Sequence, residues 1–518
     1  MTHYAYVFEV KSIQTYLFAT GRMKDAVAGS QVLDQLLNAP LAQTLAACEA
    51  TAQFSTTRCA GGALYGFFTS ESHRARFSAL WPMVVQQLLP GIEMAIAMGQ
   101  HTRLKNAMTD ALADLQSARN FPRVLLPLPT TFTLRSARTG RAATTFDRAK
   151  KESIDEATSA LRSYQSNAAL EHKFSADPKL AWPINLSDDD GSDMAFRFGP
   201  LKELALVHAD GNGLGNLLLT LGQLADALDD EQYQALYEMF STGLERATID
   251  AARAATVAVL IPVAEQQNWV MPARPIVLGG DDMTLLVQAE YAFDFTVAFV
   301  NEFEQASEVF IKQINQRFQL NLPERLTCCA GIVFLKPKQP FALAHELAEQ
   351  LCKQAKQVDS GREKPSALAF MRMLDSHTDG TFSLAHSQVR VKLERHRYEL
   401  GYLAQPDEQF IHLRNLAQLA LAGLVVAPLR EIATLLGYDP KLALVRYARW
   451  RQIQMKEHSA LLAKFDTWYA KLLPGCDPTL QVWITEDQQI HAPIVDLFTV
   501  IRILTAQQWL SNPIEAAV

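Results

Sequence analysis

The chain is 518 residues long, 49% hydrophobic and 20% charged, with a formal net charge of −7. That length exceeds a single hydrophobic core, so about two to four domains are expected, and the composition fits a soluble globular protein. The mild acidity excludes a global basic footprint for nucleic acid and leaves room only for a local basic groove.

The cysteines (Cys48, Cys59, Cys328, Cys329, Cys352, Cys476) are scattered, with no C-x-x-C pair. They supply neither a zinc ribbon nor a disulfide framework, which fits a reducing compartment. Cys328-Cys329 lie in an apolar strand and read as small core residues. Met1-Thr2-His3-Tyr4 lacks the charged and apolar regions of a signal peptide. The most apolar run, Leu419 to Leu429, is broken by Gly423 and Pro428. It falls short of the roughly 20 residues that span a bilayer and reads as a buried helix. A cytoplasmic protein without a membrane partner is expected.

In chain order, Tyr4 to Val10 reads as a strand, and Ile13 to Ala19 and Ala26 to Ala47 as helices. Ala52 to Cys59 is a second strand, and Gly61-Gly62 turns it into a third, Ala63 to Phe68. Glu71 to Leu89 is helical, with Trp81, Val84, Val85 and Leu88 at helical spacing, and Ile92 to Met98 is a fourth strand. The order β-α-β-β-α-β is that of a ferredoxin-like palm.

The same order recurs. Leu204 to Ala209 is a strand closed by Asp210; Leu214 to Leu221 and Asp230 to Ala264 are helical. Ile276 to Leu278 and Met283 to Val287 form a hairpin around Gly279-Gly280-Asp281-Asp282. Phe293 to Ile314 is a long helix, Leu326 to Leu335 a strand, and Pro340 to Lys356 a further helix. Laid side by side, the copies place Val10 opposite Asp210, and Ala63-Leu64 opposite Asp281-Asp282. On that alignment the first copy keeps the hairpin glycines and has lost all three carboxylates.

Between the copies, Leu125 to Leu134 has room for a strand or two, and Arg135 to Arg141 is a basic turn. Lys150 to His172 reads as a charged, exposed helix; Ser187 to Asp193 is an acidic loop whose spacing does not match an EF-hand. Ala367 to Met373 reads as an edge strand. From Ser387 onward the pattern is nearly all helical, with Tyr447, Trp450, Trp468 and Tyr469 as core aromatics. The expected fold is α+β: a first palm (1–105), a small intervening domain (106–198), a second palm (199–378) and a helical C-terminal domain (379–518).

The chemistry concentrates in the second copy. Asp210 is followed by Gly211-Asn212-Gly213-Leu214-Gly215, and glycines at a strand-to-helix turn let backbone N–H groups approach phosphate. The spacing is not that of a Rossmann fingerprint. In a palm, the end of the first strand lies beside the hairpin of the next two, so Asp210 is expected to face Asp281 and Asp282. Three carboxylates at one point suit one or two Mg²⁺ or Mn²⁺ ions, which can activate a ribose hydroxyl and stabilise a pyrophosphate leaving group. Lys356, late in its helix, is placed to reach a triphosphate.

Four stretches resemble the large polymerase-cyclase subunit of type III CRISPR effector complexes: Ser12 to Ser30 (SIQTYLFATGRMKDAVAGS), HADGNGLGNLL from His208, LGGDDMTLL from Leu278, and the run from Cys329 to Lys356 that begins CAGIVFLKPKQPF. The resemblance implies paired palms that make cyclic oligoadenylates from ATP. It implies metal binding by Asp210, Asp281, Asp282 and the carbonyl of Gly211, with nucleotide contacts near Gly211, Asn212, Gly213, Gly279, Gly280 and Lys356. It also implies a second ATP held between the palms by Gly29 and Ser30. Two departures follow. The first palm starts almost at Met1, so the nuclease domain that often opens the family is expected to be missing. The middle region around Arg135-Ser136-Ala137 has no cysteine pair, so no zinc is expected there.

Such a chain is expected to be a shortened effector subunit with RNA and protein partners, or a free-standing relative that works as a homo-oligomer. Two alternatives share the same residues: a nucleotide or dinucleotide cyclase of the GGDEF or class III type, and a nucleotide-binding scaffold subunit without turnover.

Overall fold

The structure, a computed structural model, describes residues 2–121, 129–164, 168–184, 196–357, 364–373, 398–399, 409–486 and 489–511. The first palm comprises β1 (His3–Lys11), α1 (Ile13–Leu17), α2 (Met23–Leu36), α3 (Ala39–Ala47), β2 (Phe54–Ala60), β3 (Ala63–Phe68), α4 (Glu71–Leu88), β4 (Glu93–His101) and α5 (Leu104–Arg119). An intervening segment adds β5 (Thr145–Asp147), β6 (Glu152–Ile154), α6 (Glu156–Ser163) and α7 (Ala169–Phe174). The second palm follows with β7 (Leu204–Gly211), α8 (Leu214–Leu224), α9 (Asp230–Ala255), α10 (Ile261–Gln266), β8 (Ala273–Gly279), β9 (Asp282–Gln288), α11 (Ala292–Phe318), β10 (Cys328–Leu335) and α12 (Phe341–Ala355). Its sheet is extended by β11 (Ala367–Arg372) and β12 (Tyr398–Glu399).

The first sheet orders its strands β2-β3-β1-β4, and the second β12-β11-β10-β7-β9-β8. Four strands of the second, β8-β9-β7-β10, repeat the order of the first, so the duplication seen in the sequence is a duplication of palms. Both central strands are buried on both faces. Ala5 and Val7 of β1 join Ala205, Val207 and Ala209 of β7 in one core, while Tyr6 and Phe8 join Leu204 and Leu206 in the other. This is the period-two alternation of a strand with no solvent side.

Local sequence explains the helix boundaries. Asp229 caps α9 and forms a capping box with Gln232; Asp155 caps α6 through the Thr158 N–H. The run Asp230–Gln266 is long and apolar enough to cross a membrane, yet 50% of its most apolar window is buried inside the protein.

Several expectations need correction. The helix expected over Ala26 to Ala47 is two, broken at Leu37-Asn38. The boundary at 105 falls inside α5, which packs on β4 and β1 and so belongs with the first palm. Lys150 to His172 is not one exposed helix but β6, α6 and the start of α7, with Leu161, Leu170 and Glu171 buried. Its charges are matched by partners from other elements, which a local pattern does not reveal. Among the described residues of Leu125 to Leu134 there is no strand; residues 122–128 and the acidic loop from Ser187 to Asp193 lie outside the described residues. β11 is not an edge strand: it runs parallel to β10 and pairs with β12 on its other side.

The C-terminal region holds α13 (Gln409–Leu421), α14 (Ala427–Leu436), α15 (Pro440–Glu457), α16 (Ser459–Leu472), a hairpin of β13 (Ile484–Glu486) and β14 (Gln489–His491), and α17 (Ile494–Ser511). The apolar run Leu419 to Leu429 is therefore the junction of α13 and α14, broken at Gly423 and restarted at Pro428, rather than a single buried helix. Tyr447 and Trp450 stack in this core, their ring centroids 5.4 Å apart.

Candidate metal and nucleotide site

β7 and β9 are antiparallel, with Ala209 opposite Met283, so the next residues outward, Asp210 and Asp282, meet at the strand ends. β8 and β9 close on the pair Gly279–Asp282, leaving Gly280-Asp281 as a two-residue turn. Gly280 takes the positive φ of 63° that this turn needs. Asp281 folds back over Gly211: a Cβ on Gly211 would stand 3.0 Å from Asp281 Oδ2 and 3.1 Å from its Cβ. Glycine at 211 thus makes room for the second carboxylate. Thr248 Oγ1 of α9 donates to the Gly280 carbonyl at 2.6 Å and holds the turn. Among the described residues, the one cluster with metal-ligand spacing is Asp210, Asp281 and Asp282, whose oxygens lie within 4.8 Å of one another.

Lys356 stands at the C-terminal end of α12. Its Nζ donates to Asp210 Oδ2 and, at 2.7 Å, to the Gly211 carbonyl. Burial acts to raise the Asp210 carboxyl, but hydrogen bonds from its neighbours and the Lys356 charge outweigh burial and hold it below the usual range. Burial, reinforced by the hydrogen bond and charge of Asp210, pushes Asp281 up to about 7. Asp282 is raised well above the usual range by burial and by the charges of Asp281 and Asp210. Crowded carboxylates with one ammonium among them are short of positive charge. Three carboxylates plus the Gly211 carbonyl are hard oxygen donors, which fit Mg²⁺ or Mn²⁺.

The other expected residues divide. Gly213, at φ 65°, opens α8 with open space where a Cβ would stand, so its backbone faces out at a helix N-terminus. Asn212 turns inward: its Nδ2 donates to Thr327 Oγ1 at 2.9 Å and to the Pro365 carbonyl at 3.1 Å, tying the loop to the residues that lead into β10 and β11. Gly279 abuts the other palm, where a Cβ would stand 3.7 Å from Gly61 Cα. Gly29 is packed under Leu17 and Leu161. The buried Ser30 hydroxyl donates to the Ile276 carbonyl of the second palm and links the two palms.

Between the hairpins lies a cavity of about 420 Å³, walled by Val10, Ile13, Leu33 and Leu37 on one side and by Val277, Gly279 and Asp282 on the other. Its described lining carries one cation, Lys173, against Asp34, Glu245 and Asp282. Lys173 comes from α7 and pairs with Asp34 and, at 3.6 Å, with Glu245. Sequence reading missed all three, because each looks like a solvated helix charge. It also missed the buried histidines beneath the site. His208 Nδ1 meets Thr284 Oγ1 at 3.1 Å, and its ring lies 5.5 Å from that of His345. Burial lowers both, to about 4 and about 3, which keeps them neutral.

The structure also shifts the alignment of the copies. The first hairpin closes on Ala60–Ala63 with Gly61-Gly62 as its turn, so Gly62 and Ala63, not Ala63 and Leu64, stand where Asp281 and Asp282 stand. Ala63 faces Glu9, which places Glu9, not Val10, at the position of Asp210. The first palm has kept one carboxylate. Arg119, the last residue of α5, neutralises Glu9 with two hydrogen bonds of 2.8 Å, and Tyr65 donates a third. Arg119–Glu9 is the counterpart of Lys356–Asp210.

Residues 203–364 match the family model for the second palm domain of Cas10/Cmr2. Among solved structures, Csm1 from T. onnurineus aligns over 97% of this chain and 69% of its own, with 13% identity and a TM-score of 0.51. A Csm1-Csm4 cassette solved in complex with pppApApA aligns over the same shares, with 11% identity and a TM-score of 0.50. At such identities these likenesses speak for the fold. No curated protein matches the sequence. Residues 203–364 thus resemble the second palm domain of Cas10/Cmr2, and the paired-palm fold of the chain is similar to that of Csm1.

Proposed function

We propose that this protein is a metal-dependent nucleotidyltransferase that joins ATP, 3′-hydroxyl onto α-phosphate, into linear or cyclic oligoadenylate. The observation that carries the reading is the convergence of Asp210, Asp281 and Asp282 at one strand end of the second palm, where the first palm has Glu9, Gly62 and Ala63. Divalent ions held by these residues would lower the pKa of the attacking hydroxyl and neutralise charge on the leaving pyrophosphate. The O3′–Pα bond forms, the bond from Pα to the pyrophosphate oxygen breaks, and the hydroxyl proton passes to water.

The chain's own groups supply the positioning. The α8 N-terminus at Gly213 offers backbone N–H groups to a phosphate. The cavity between the palms has an apolar wall for a base and is of a size that takes one nucleoside. With one lysine against three carboxylates, that cavity suits the nucleoside end of a substrate better than a triphosphate. A structural neighbour solved with pppApApA supports adenylate as the product class. The Csm4 subunit of that cassette supports a place for this chain beside such a subunit; a cytoplasmic type III CRISPR complex with RNA is the assembly we propose for it.

Incubation of the purified protein with Mg²⁺ or Mn²⁺ and each nucleoside triphosphate in turn, with products read by mass spectrometry, tests the reading. ATP is expected to give oligoadenylate, and Asp281→Ala with Asp282→Ala to reduce it to roughly 1% or less, since loss of even an outer-shell partner costs about 10–100-fold. Product that survives the double substitution would overturn the assignment. Ring and chain masses distinguish cyclic oligoadenylate from a cyclic mononucleotide or dinucleotide.

A further inference from the structure

Lys356 occupies an unexpected position for a residue meant to hold a triphosphate. Its ammonium contacts Asp210 Oδ2 and the Gly211 carbonyl, two of the four oxygen donors the metal reading requires. An ammonium and a divalent cation cannot share those atoms. The side chain is 23% exposed and ends a helix, so its four-carbon stem can swing without disturbing the sheet. In the first palm the carboxylate is gripped more fully: Arg119, 48% exposed and also at a helix end, makes two hydrogen bonds to Glu9, one to each oxygen, and Tyr65 adds a third. One palm has a bidentate guanidinium on its carboxylate, the other a single ammonium shared between one carboxylate oxygen and a carbonyl.

We propose that Lys356 is a built-in stand-in cation that couples metal entry to nucleotide capture, an inference that rests on the metal reading above. Without ligand, the ammonium neutralises Asp210 and satisfies the Gly211 carbonyl. A metal ion entering alone must evict it and leave it without a partner. A metal ion entering with a polyphosphate evicts it toward phosphate oxygens, which become its new acceptors. Metal and nucleotide therefore bind with positive coupling, and the site stays closed to free divalent cations until substrate arrives.

Two measurements test this. In the wild-type protein, amine acetylation at Lys356 is followed by mass spectrometry. Labelling should be slow in EDTA, rise about fivefold or more with saturating Mn²⁺ alone, and fall again when AMPPNP is added with Mn²⁺, the size expected of a typical coupling. Equal labelling in all three conditions overturns the proposal. In the second measurement, Mn²⁺ binding without nucleotide is titrated by electron paramagnetic resonance. Lys356→Met and Lys356→Gln, each checked for fold by circular dichroism, should bind Mn²⁺ about fivefold or more tightly than wild type. A purely phosphate-binding lysine would leave that affinity unchanged, and a purely structural one would weaken it; either result sinks the idea. If Asp281→Ala with Asp282→Ala leaves Mn²⁺ binding intact, the metal reading itself fails. If binding needs the aspartates but ignores Lys356, only the coupling fails.

Discussion

Asp281 answers to two opposing demands. A ligand for a divalent cation must be ionised, yet its burial over Gly211 and the neighbouring Asp210 favour the protonated form and lift its pKa to about 7. The folded chain therefore binds that proton more tightly than the unfolded chain, whose carboxyl titrates near 3.8. Stability from this group is full below the unfolded value and is lost as pH rises through about 7. Asp282, also raised, acts in the same sense. Asp210 is lowered, so its contribution disappears only on acidification below the usual carboxylate range. In EDTA, the melting temperature is thus expected to fall between about pH 5 and 8. Mn²⁺ should reverse the trend, its stabilising effect growing with pH as the carboxylates ionise. Asp281→Asn should flatten the EDTA slope, and differential scanning calorimetry across that range decides the matter. The aspartates themselves were legible in the sequence because Gly-Gly-Asp-Asp between two apolar runs marks its own position. Lys356 was legible as a member of the site but not as a ligand of Asp210. Its reach depends on how closely α12 approaches β7, a tertiary quantity with no trace in local spacing.

That approach is set by a close contact between two elements. β10 lies against α12 at Gly331, where a Cβ would stand 2.0 Å from the Ala348 carbonyl oxygen and 2.7 Å from the Cys352 nitrogen, both backbone atoms. In the first palm, β4 meets α5 at Gly99, with 2.1 Å to the Ala107 oxygen. No rotamer change relieves either contact, so an added methyl must push a helix off its sheet. Gly331→Ala is expected to cost about 1–3 kcal/mol by overpacking and to tighten Mn²⁺ binding in the absence of nucleotide, because α12 carries the Lys356 ammonium that competes with the metal for Asp210 and the Gly211 carbonyl. Gly99→Ala should cost a similar amount yet leave Mn²⁺ affinity unchanged, since the palm it disturbs has no triad. Urea unfolding and Mn²⁺ titration of both variants give the comparison. The strand and helix order of both palms was readable from apolar periodicity and turn glycines. The register between them was not. Matching glycine to glycine put Ala63-Leu64 opposite the aspartates, whereas the chain turns at Gly61-Gly62 in one copy and at Gly280-Asp281 in the other. A one-residue slip in a strand moves each side chain to the opposite face, which is how Glu9 escaped notice.

At the scale of the whole molecule, the two palms are held at a fixed separation by a segment whose charges read as solvent-facing. Glu171 of α7 is buried where three parts of the chain meet. Arg274 of β8 reaches it at 2.5 Å, and Gln31 of α2 donates to both its oxygens at 2.9 Å. Two residues on, Lys173 pairs with Asp34 and Glu245 at the edge of the cavity between the palms. Arg253 holds the Lys173 carbonyl at 3.1 Å. A carboxylate clamped between an amide from one palm and a guanidinium from the other fixes the spacing of the cavity, because neither partner has water to turn to. Removing one member of such a buried pair leaves the other charge uncompensated, so Glu171→Ala is expected to cost about 3–5 kcal/mol. Replacing both members by apolar residues of similar volume, Glu171→Leu with Arg274→Met, should cost far less, because no buried charge is left alone. If α7 only tethers the palms, both variants will bind AMPPNP as wild type does once folded. If it shapes the cavity, the double variant will be stable yet bind the nucleotide more weakly, because the buried link that sets the palm spacing is gone while Lys173 and its partners are intact. Chemical denaturation and calorimetric titration with AMPPNP separate these outcomes. A double variant as unstable as the single one would show instead that packing around Glu171, not its charge, holds the palms together.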